Sequence, residues 1–215
     1  MFISFSGIDG AGKTTQIEKL CASLGDQGFA ARPMSFWNDV ATLTRFRERA
    51  GHALFRGDKG VGSPSAPIRR RDKDVRSRLM SCVRLCLYAL DALSLRAAMT
   101  KLVADDGRSI VIFDRFIYDE FANLDLRSPV IRTYIRLVAR FVPRPHVSFL
   151  LDADPEQAYA RKPEYPIEFL RSNRAAFRTV SELIGGITAI ESLPVQEVAR
   201  EVLGLVGTAL SRETR

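Results

Sequence analysis

The pattern of apolar and polar positions along the 215 residues alternates between two kinds of segment. Short apolar runs have the length and the continuous hydrophobicity of strands covered on both faces. Longer segments with helical periodicity separate them. This alternation predicts an α/β fold, in which a five-stranded parallel sheet lies between two layers of helices. The predicted strands are 2–6, 30–36, 109–113, 146–152 and 187–190, and the main later helices are 79–103, 130–141, 166–184 and 194–210.

A glycine-rich motif follows the first predicted strand. Residues 7–14 read Gly-Ile-Asp-Gly-Ala-Gly-Lys-Thr and match G-x-x-x-x-G-K-[ST] at every position. A helical stripe comes directly after it, with Ile17, Leu20 and Leu24 on one face. In this context the backbone N–H groups of the loop and the helix N-terminus bind phosphate oxygens. The motif therefore predicts a P-loop, with ATP and Mg²⁺ as the cofactors.

The residue types in and near the loop predict individual roles. Lys13 is expected to bridge the β- and γ-phosphates, and the Thr14 hydroxyl to bind Mg²⁺. Thr15 is expected to reach the α-phosphate. Asp114 ends the third apolar run, where a second metal-side carboxylate is needed. Arg115 beside it is a candidate clamp on transferring or accepting oxygens.

Together these residues resemble those of thymidylate kinases and, more loosely, other nucleoside monophosphate kinases, over almost the whole chain. The likeness includes Asp9 before the second P-loop glycine, Asp114-Arg115-Phe116, and the segments 151–156 and 190–198. It implies a three-layer P-loop NTPase fold, one domain over 1–215 and a lid at about 155–175. It further implies an ATP-dependent phosphotransferase acting on a nucleoside monophosphate such as dTMP, and dimerisation through the helix at 79–103.

The resemblance and the helical spacing together define the candidate site. Tyr88-Ala-Leu-Asp91-Ala92 is similar to the family's Phe-Ala-Ala-Asp-Arg, and Arg84 shares a helix face with Tyr88 and Asp91. That face is either the acceptor surface or a solvated surface. The lid arginines 161, 171, 174 and 178 are candidates for neutralising the moving γ-phosphoryl group.

The predicted site residues fall into four groups. For catalysis they are Lys13, Asp9, Arg115, Arg171 and Arg174; for ATP, Gly7, Gly10, Ala11, Gly12, Lys13, Thr14, Thr15, Arg161 and Pro194; for the acceptor, Asp9, Arg32, Arg84, Tyr88, Asp91, Arg115 and Asp119; and for Mg²⁺, Thr14 and Asp114.

The acceptor side departs from the family's pattern. Ala92 replaces the arginine that meets the base in the family. The Ser and Gln that usually follow the Asp-Arg-Tyr motif are missing from 117–123, and segment 32–39 replaces the Arg-Glu-Pro-Gly-Gly-Thr loop. The lid segment 160–166 lacks the usual glycine. The donor side is thus intact, whereas the acceptor side is altered.

These departures leave three hypotheses open. The first is a nucleoside monophosphate kinase, which needs no general base because a phosphate acceptor is already anionic. The second is a kinase for a hydroxyl on a sugar or another metabolite, favoured by the acids after Tyr118, with Asp9 or Asp119 as the base. The third is a non-catalytic ATP-binding switch with the basic region 45–78 as its docking face. The sequence contains no Asn-Lys-x-Asp motif, which favours ATP over GTP.

The composition sets the expected environment. The chain carries a net charge of +7, concentrated in 45–78, which suits a solvated face or a phosphate-rich ligand. Nothing in it resembles a nucleic-acid-binding module or a membrane span, and we expect no signal peptide. The three scattered cysteines are typical of a reducing compartment, so a cytoplasmic location is expected. The Gly-, Pro- and Ser-rich segment 57–67 predicts a mobile loop.

Overall fold

A computed structural model of the chain describes residues 1–40, 78–105 and 109–213. Within these residues, five strands form a single parallel sheet in the order β2-β3-β1-β4-β5. All five strands were predicted, each to within two residues at its ends. The predicted loop at 57–67 and nearly all of the basic region 45–78 lie outside the described residues. The strands are β1 Phe2–Ser6, β2 Ala31–Ser35, β3 Ile110–Asp114, β4 Val147–Asp152 and β5 Thr188–Glu191.

The described helices include every long helix that the periodicity predicts. A short π-helical turn, Phe36–Val40, follows β2. The short helices α3 and α5 were not predicted, because five and seven residues are too few to show a helical period. The helices are α1 Lys13–Asp26, α2 Arg78–Asp105, α3 Ile117–Phe121, α4 Pro129–Phe141, α5 Pro155–Arg161, α6 Ile167–Ile184 and α7 Val195–Glu213.

The sheet separates two hydrophobic cores. On one face, Ile3 and Phe5 of β1 pack with apolar residues of α1 and α7, such as Leu20 and Val202. On the other face the core is built mainly by β3, α2, α3, α4 and α6. Successive strand side chains point to opposite faces, so uninterrupted apolar strands supply both cores. The predicted three-layer α/β fold is confirmed.

The carboxyl ends of the strands meet at one edge of the sheet. Phe5 of β1 is in register with Asp114 of β3, and Asp152 of β4 is in register with Glu191 of β5. The central strand β1 lies between β3 and β4, which places the P-loop where the strand order reverses. Ligands of open α/β sheets bind at such switch points.

Candidate active site

The loop between β1 and α1 has backbone geometry that requires its glycines. Gly7, Gly10 and Gly12 have φ values of 142°, 81° and 89°, in the region that side chains with a Cβ disfavour. A Cβ atom on Gly7 would lie 2.6 Å from the Leu151 carbonyl oxygen, and one on Gly10 would lie 2.5 Å from the Ala158 carbonyl oxygen. The loop is therefore packed closely against β4 and α5.

The side chain of Lys13 lies over this loop. Lys13 begins α1 and is buried, and its Nζ donates to the carbonyl oxygens of Gly7 at 2.8 Å and Ile8 at 3.0 Å. The pKa of Lys13 is lowered to about 8, mainly by burial and to a smaller extent by the charge of Arg115. The nearby Asp119 carboxylate partly opposes this shift. The ammonium group is thus held in a water-poor position by carbonyl oxygens that phosphate oxygens can replace.

A cleft of about 550 Å³ opens beside the loop and gathers most of the predicted ATP-side residues. Leu193 and Val195, the neighbours of the predicted Pro194, line its far wall. Lys162 also lines the cleft, and the sequence did not predict this although Lys162 adjoins the predicted Arg161. The predicted residues in the lining are Asp9, Gly10, Ala11, Gly12, Lys13, Thr14, Thr15, Asp114, Arg115 and Arg161.

The two predicted magnesium ligands border the same cleft. Thr14 and Asp114 both line it, and Asp114 Oδ1 is buried with no hydrogen-bond partner among the described residues. A hydroxyl and a carboxylate oxygen are hard ligands of the kind that Mg²⁺ takes together with phosphates and water. In the described part of the chain, no group of three or more His, Cys, Asp or Glu could hold a metal. The residues fit a magnesium ion that arrives with a nucleotide.

Arg115 lies between two carboxylates. Its guanidinium pairs with Asp9 of the P-loop and lies 3.6 Å from Asp119 Oδ1 of α3. Burial works to lower the pKa of Arg115, but Asp119 and Asp9 prevail and raise it. Burial works to raise the pKa of Asp9, but Arg115 and Lys13 prevail and lower it. Asp9 is therefore held as a carboxylate and Arg115 as a cation at the floor of the cleft.

The predicted lid arginines on α6 lie outside the cleft lining and bind carboxylates. Arg171 is exposed and pairs with Glu156 and Glu168, each at 2.6 Å. Arg174 Nε lies 2.6 Å from Asp152 Oδ1, and Arg178 Nε lies 2.9 Å from Asp152 Oδ2. Asp152 itself lines the cleft. The catalytic roles of Arg171 and Arg174 stay predictions.

We expect Asp152→Asn to lower the free energy of unfolding at pH 7 by about 1.5–3 kcal/mol, the range for hydrogen bonds to charged groups. Burial works to raise the pKa of Asp152, but the hydrogen bonds from Arg174 and Arg178 outweigh it and lower the pKa. The stabilisation is therefore present above the unfolded-state pKa and is lost as pH falls through the folded-state pKa. Urea unfolding of Asp152→Asn and of the unmodified protein checks this, since their difference in stability at pH 7 should shrink at pH 3. Asp125→Asn, which breaks an exposed pair with Arg127 at 3.1 Å, is the control and should change stability by less than about 0.5–1 kcal/mol.

The predicted acceptor residues of α2 point into the protein. Tyr88 is 6% exposed and Asp91 is completely buried, while half-buried Arg84 donates to the Asn123 carbonyl oxygen at 3.4 Å. Arg32 is exposed on β2. None of the four lines the cleft over the P-loop. Their contacts with an acceptor stay predictions.

Asp119 is also buried and does not line that cleft, although its neighbour in space, Arg115, does.

A contact that the sequence did not predict connects the P-loop helix α1 to α7. Gln16 Nε2 of α1 donates to the Val195 carbonyl oxygen at 3.0 Å. A glutamine inside a helix gives no sequence signal for such a distant partner.

The fold and this site define a P-loop NTPase-type protein, in which a parallel sheet presents a glycine-shaped anion loop, a buried lysine and a carboxylate. No family model matches the chain. It is 26% identical to a probable thymidylate kinase of Methanosphaera stadtmanae over 207 residues, and this alignment covers 94% of each protein. It is 30% identical over 161 residues to a probable thymidylate kinase of Methanothermobacter thermautotrophicus, covering 75% of this chain and 69% of the relative. A thymidylate kinase of Symbiobacterium thermophilum is 29% identical over the whole of this chain and 96% of its own length.

The chain belongs to the thymidylate kinase family. The resemblance inferred from the motifs is confirmed, and with it the assignment to a family of nucleotide kinases. The relatives are named for a nucleotide kinase and not for a sugar kinase. Of the two acids considered as a base for a hydroxyl acceptor, Asp119 is buried outside the cleft lining, whereas Asp9 lines the cleft and pairs with Arg115. None of the described helices has the length and hydrophobicity to cross a membrane.

Proposed function

We propose that this protein transfers the γ-phosphoryl group of ATP to the phosphate of dTMP, which yields ADP and dTDP. The observation that carries the proposal is the joint lining of one cleft by the P-loop, the buried Lys13 and the magnesium-type pair Thr14 and Asp114, in a chain of the thymidylate kinase family. The proposed acceptor is the nucleotide for which the related kinases are named.

On the donor side, Lys13 leaves the carbonyl oxygens of Gly7 and Ile8 and binds the β- and γ-phosphates. The N–H groups of the loop and the start of α1 bind phosphate oxygens. Thr14 and Asp114 hold Mg²⁺, which neutralises phosphate charge when bound. Arg161 and Lys162 add positive charge at the rim of the cleft. These groups position the phosphates and stabilise the transferring charge without a covalent intermediate.

On the acceptor side, the phosphate of dTMP attacks directly, since it is already anionic and needs no base. Arg115 faces the cleft between the P-loop and the end of β3 and orients the acceptor phosphate. In the lid, Arg171 and Arg174 reach the phosphates by exchanging Glu156 and Asp152 for phosphate oxygens. The exchange couples lid closure to nucleotide binding.

We also propose a domain organisation, an assembly and a cellular location. The chain acts as one domain in the cytoplasm, and two copies associate through α2 and its neighbour α4. Leu93, Leu137 and Phe141 line one groove between these helices and are 50%, 61% and 54% exposed, an unusual exposure for neighbouring large apolar side chains. Light scattering should give twice the mass of one chain, and Leu93→Glu should reduce it to one chain.

We expect ATP affinity to fall as pH rises through about 8, the lowered pKa of Lys13 in the free protein. ATP binds the charged ammonium form, so affinity is constant below this pH and declines above it by up to about tenfold per pH unit. Binding should also take up protons at pH 9. Titration calorimetry from pH 6.5 to 9.5 measures both effects, and Lys13→Ala should show weak affinity without this pH dependence. A flat profile in the unmodified protein would contradict the role of Lys13.

The acceptor is tested with a panel of dTMP, dUMP, dCMP and dGMP, by following ADP release from Mg·ATP. Strong stimulation by dTMP is the expected result. Stimulation by another member of the panel would keep the kinase and change the acceptor. ATP binding without stimulation by any of them would favour a non-catalytic switch.

A further inference from the structure

One buried acid next to the cleft has no part in the transfer described above. Asp119 lies in α3 with 4% of its surface exposed. Its Oδ2 accepts hydrogen bonds from Ser6 Oγ at 2.6 Å and from the Phe116 N–H at 3.1 Å. Its Oδ1 has no hydrogen-bond partner in the described structure and lies 3.6 Å from Arg115 Nη1. One carboxylate thus connects the end of β1, the turn after β3 and the guanidinium in the cleft.

The turn that Asp119 holds is strained. Arg115 has φ 69°, and it is the one non-glycine residue with positive φ in the described ranges. Its N–H donates to the Phe5 carbonyl oxygen at 3.0 Å, and the next N–H, that of Phe116, donates to Asp119. Such a conformation persists only where the surroundings fix it. The hydrogen bonds on both sides of Arg115 fix it here.

The same carboxylate sets the direction of the Arg115 side chain. Asp9 pairs with one terminal nitrogen of the guanidinium and Asp119 faces the other. Without Asp119, the carboxylate that still pairs with Arg115 among the described residues would be Asp9, on the P-loop side. Arg115 lines the cleft and Asp119 does not. Asp119 therefore affects a bound ligand by orienting Arg115 and not by contact with the ligand.

We propose that Asp119 is a positioning residue for Arg115, which it holds in the strained turn and aims at the acceptor side of the cleft. Its catalytic consequence rests on the proposed function. Its effect on Arg115 is a property of the folded chain and is measurable without turnover.

The first test is Asp119→Asn. The asparagine keeps the size of the side chain and an oxygen for Ser6 and Phe116, but it loses the charge that faces Arg115. We expect kcat with dTMP to fall by a factor of about 10–100, within the range measured for coupled neighbouring side chains. The KM for ATP should change by less than about twofold, because the donor contacts remain. A normal kcat would overturn the proposal.

The second test combines Asp119→Asn with Arg115→Ala. If Asp119 acts through Arg115, then adding Asp119→Asn to Arg115→Ala causes no further loss of kcat. A substrate contact or a base would instead cause the same fold loss in both backgrounds, and that result would overturn the proposal. Arg115→Gly, which accepts φ 69° without strain, replaces the alanine variant if that variant does not fold.

Urea unfolding of the same four proteins separates this proposal from the proposed function. Asp119→Asn should shift the midpoint to lower urea in the presence of Arg115. It should leave the midpoint unchanged or raise it in the Arg115 variant, where it removes a buried carboxylate that has lost its main counter-charge. If dTMP gives no turnover, these urea midpoints still test whether Asp119 acts on Arg115. Equal downward shifts of the midpoint in both backgrounds would overturn the positioning role.

Discussion

Lys13→Ala should lower kcat/KM for phosphoryl transfer by a factor of about 10²–10³ or more, as expected when a preorganised charge-stabilising group is lost. Its ammonium group is the buried cation that spans the mouth of the P-loop. In the ligand-free protein the same group is costly, because burial lowers its pKa to about 8. The variant should therefore be at least as resistant to unfolding as the unmodified protein.

The measurement is ADP and dTDP formation together with a thermal unfolding curve. Lys19→Ala is the matched control, since Lys19 also lies on α1 but only reaches Gln196 at 3.5 Å on the surface. It should change neither activity nor stability appreciably. If Lys13→Ala kept its activity within a few fold, the donor site described here would be wrong.

Gly10→Ala should damage both the fold and the site. The φ of 81° is unfavourable for alanine, and the new Cβ would lie 2.5 Å from the Ala158 carbonyl oxygen of α5. Backbone strain of about 1–2 kcal/mol and overpacking of about 1–3 kcal/mol together predict a loss of about 2–5 kcal/mol in the free energy of unfolding. Any shift of the loop that relieves the contact would also displace the N–H groups that face phosphate.

Gly28→Ala separates the two causes. Gly28 has the same φ of 81°, but a Cβ there would meet nothing within 4 Å. It should therefore show the strain alone, about 1–2 kcal/mol, with normal ATP affinity. Urea unfolding and ATP titration of both variants test this. Equal losses for the two variants would mean that the P-loop is not packed against α5 as described.

The parts of the fold that the sequence predicts are those with a local signal. Apolar strands, long periodic helices and the P-loop glycines each carry their pattern within a few residues, and the strand–helix alternation determines the parallel topology. The pairing of Arg174 and Arg178 with Asp152 carries no such signal, because the partners lie more than 20 residues apart. The same holds for Ser6 and Asp119, whose contact depends on how β1 and α3 meet.

Helix α2 shows why the sequence does not determine which way the predicted acceptor face points. Helical spacing correctly puts Tyr88 and Asp91 on one side of the helix, but it does not tell which side faces the core. Apolar residues occur on both the buried and the exposed side of this helix, since Leu95 is fully buried whereas Leu93 is half exposed. With little contrast between the faces, the sequence alone could not reveal that Asp91 is buried.

The most direct test of the central claim is the product of a reaction with purified protein, Mg·ATP labelled in the γ-phosphate, and dTMP. We expect labelled dTDP in a one-to-one ratio with ADP, and its formation by Lys13→Ala should be slower by a factor of about 10² or more. ADP formation without labelled dTDP, or labelled dTDP formed equally well by Lys13→Ala, would contradict the claim.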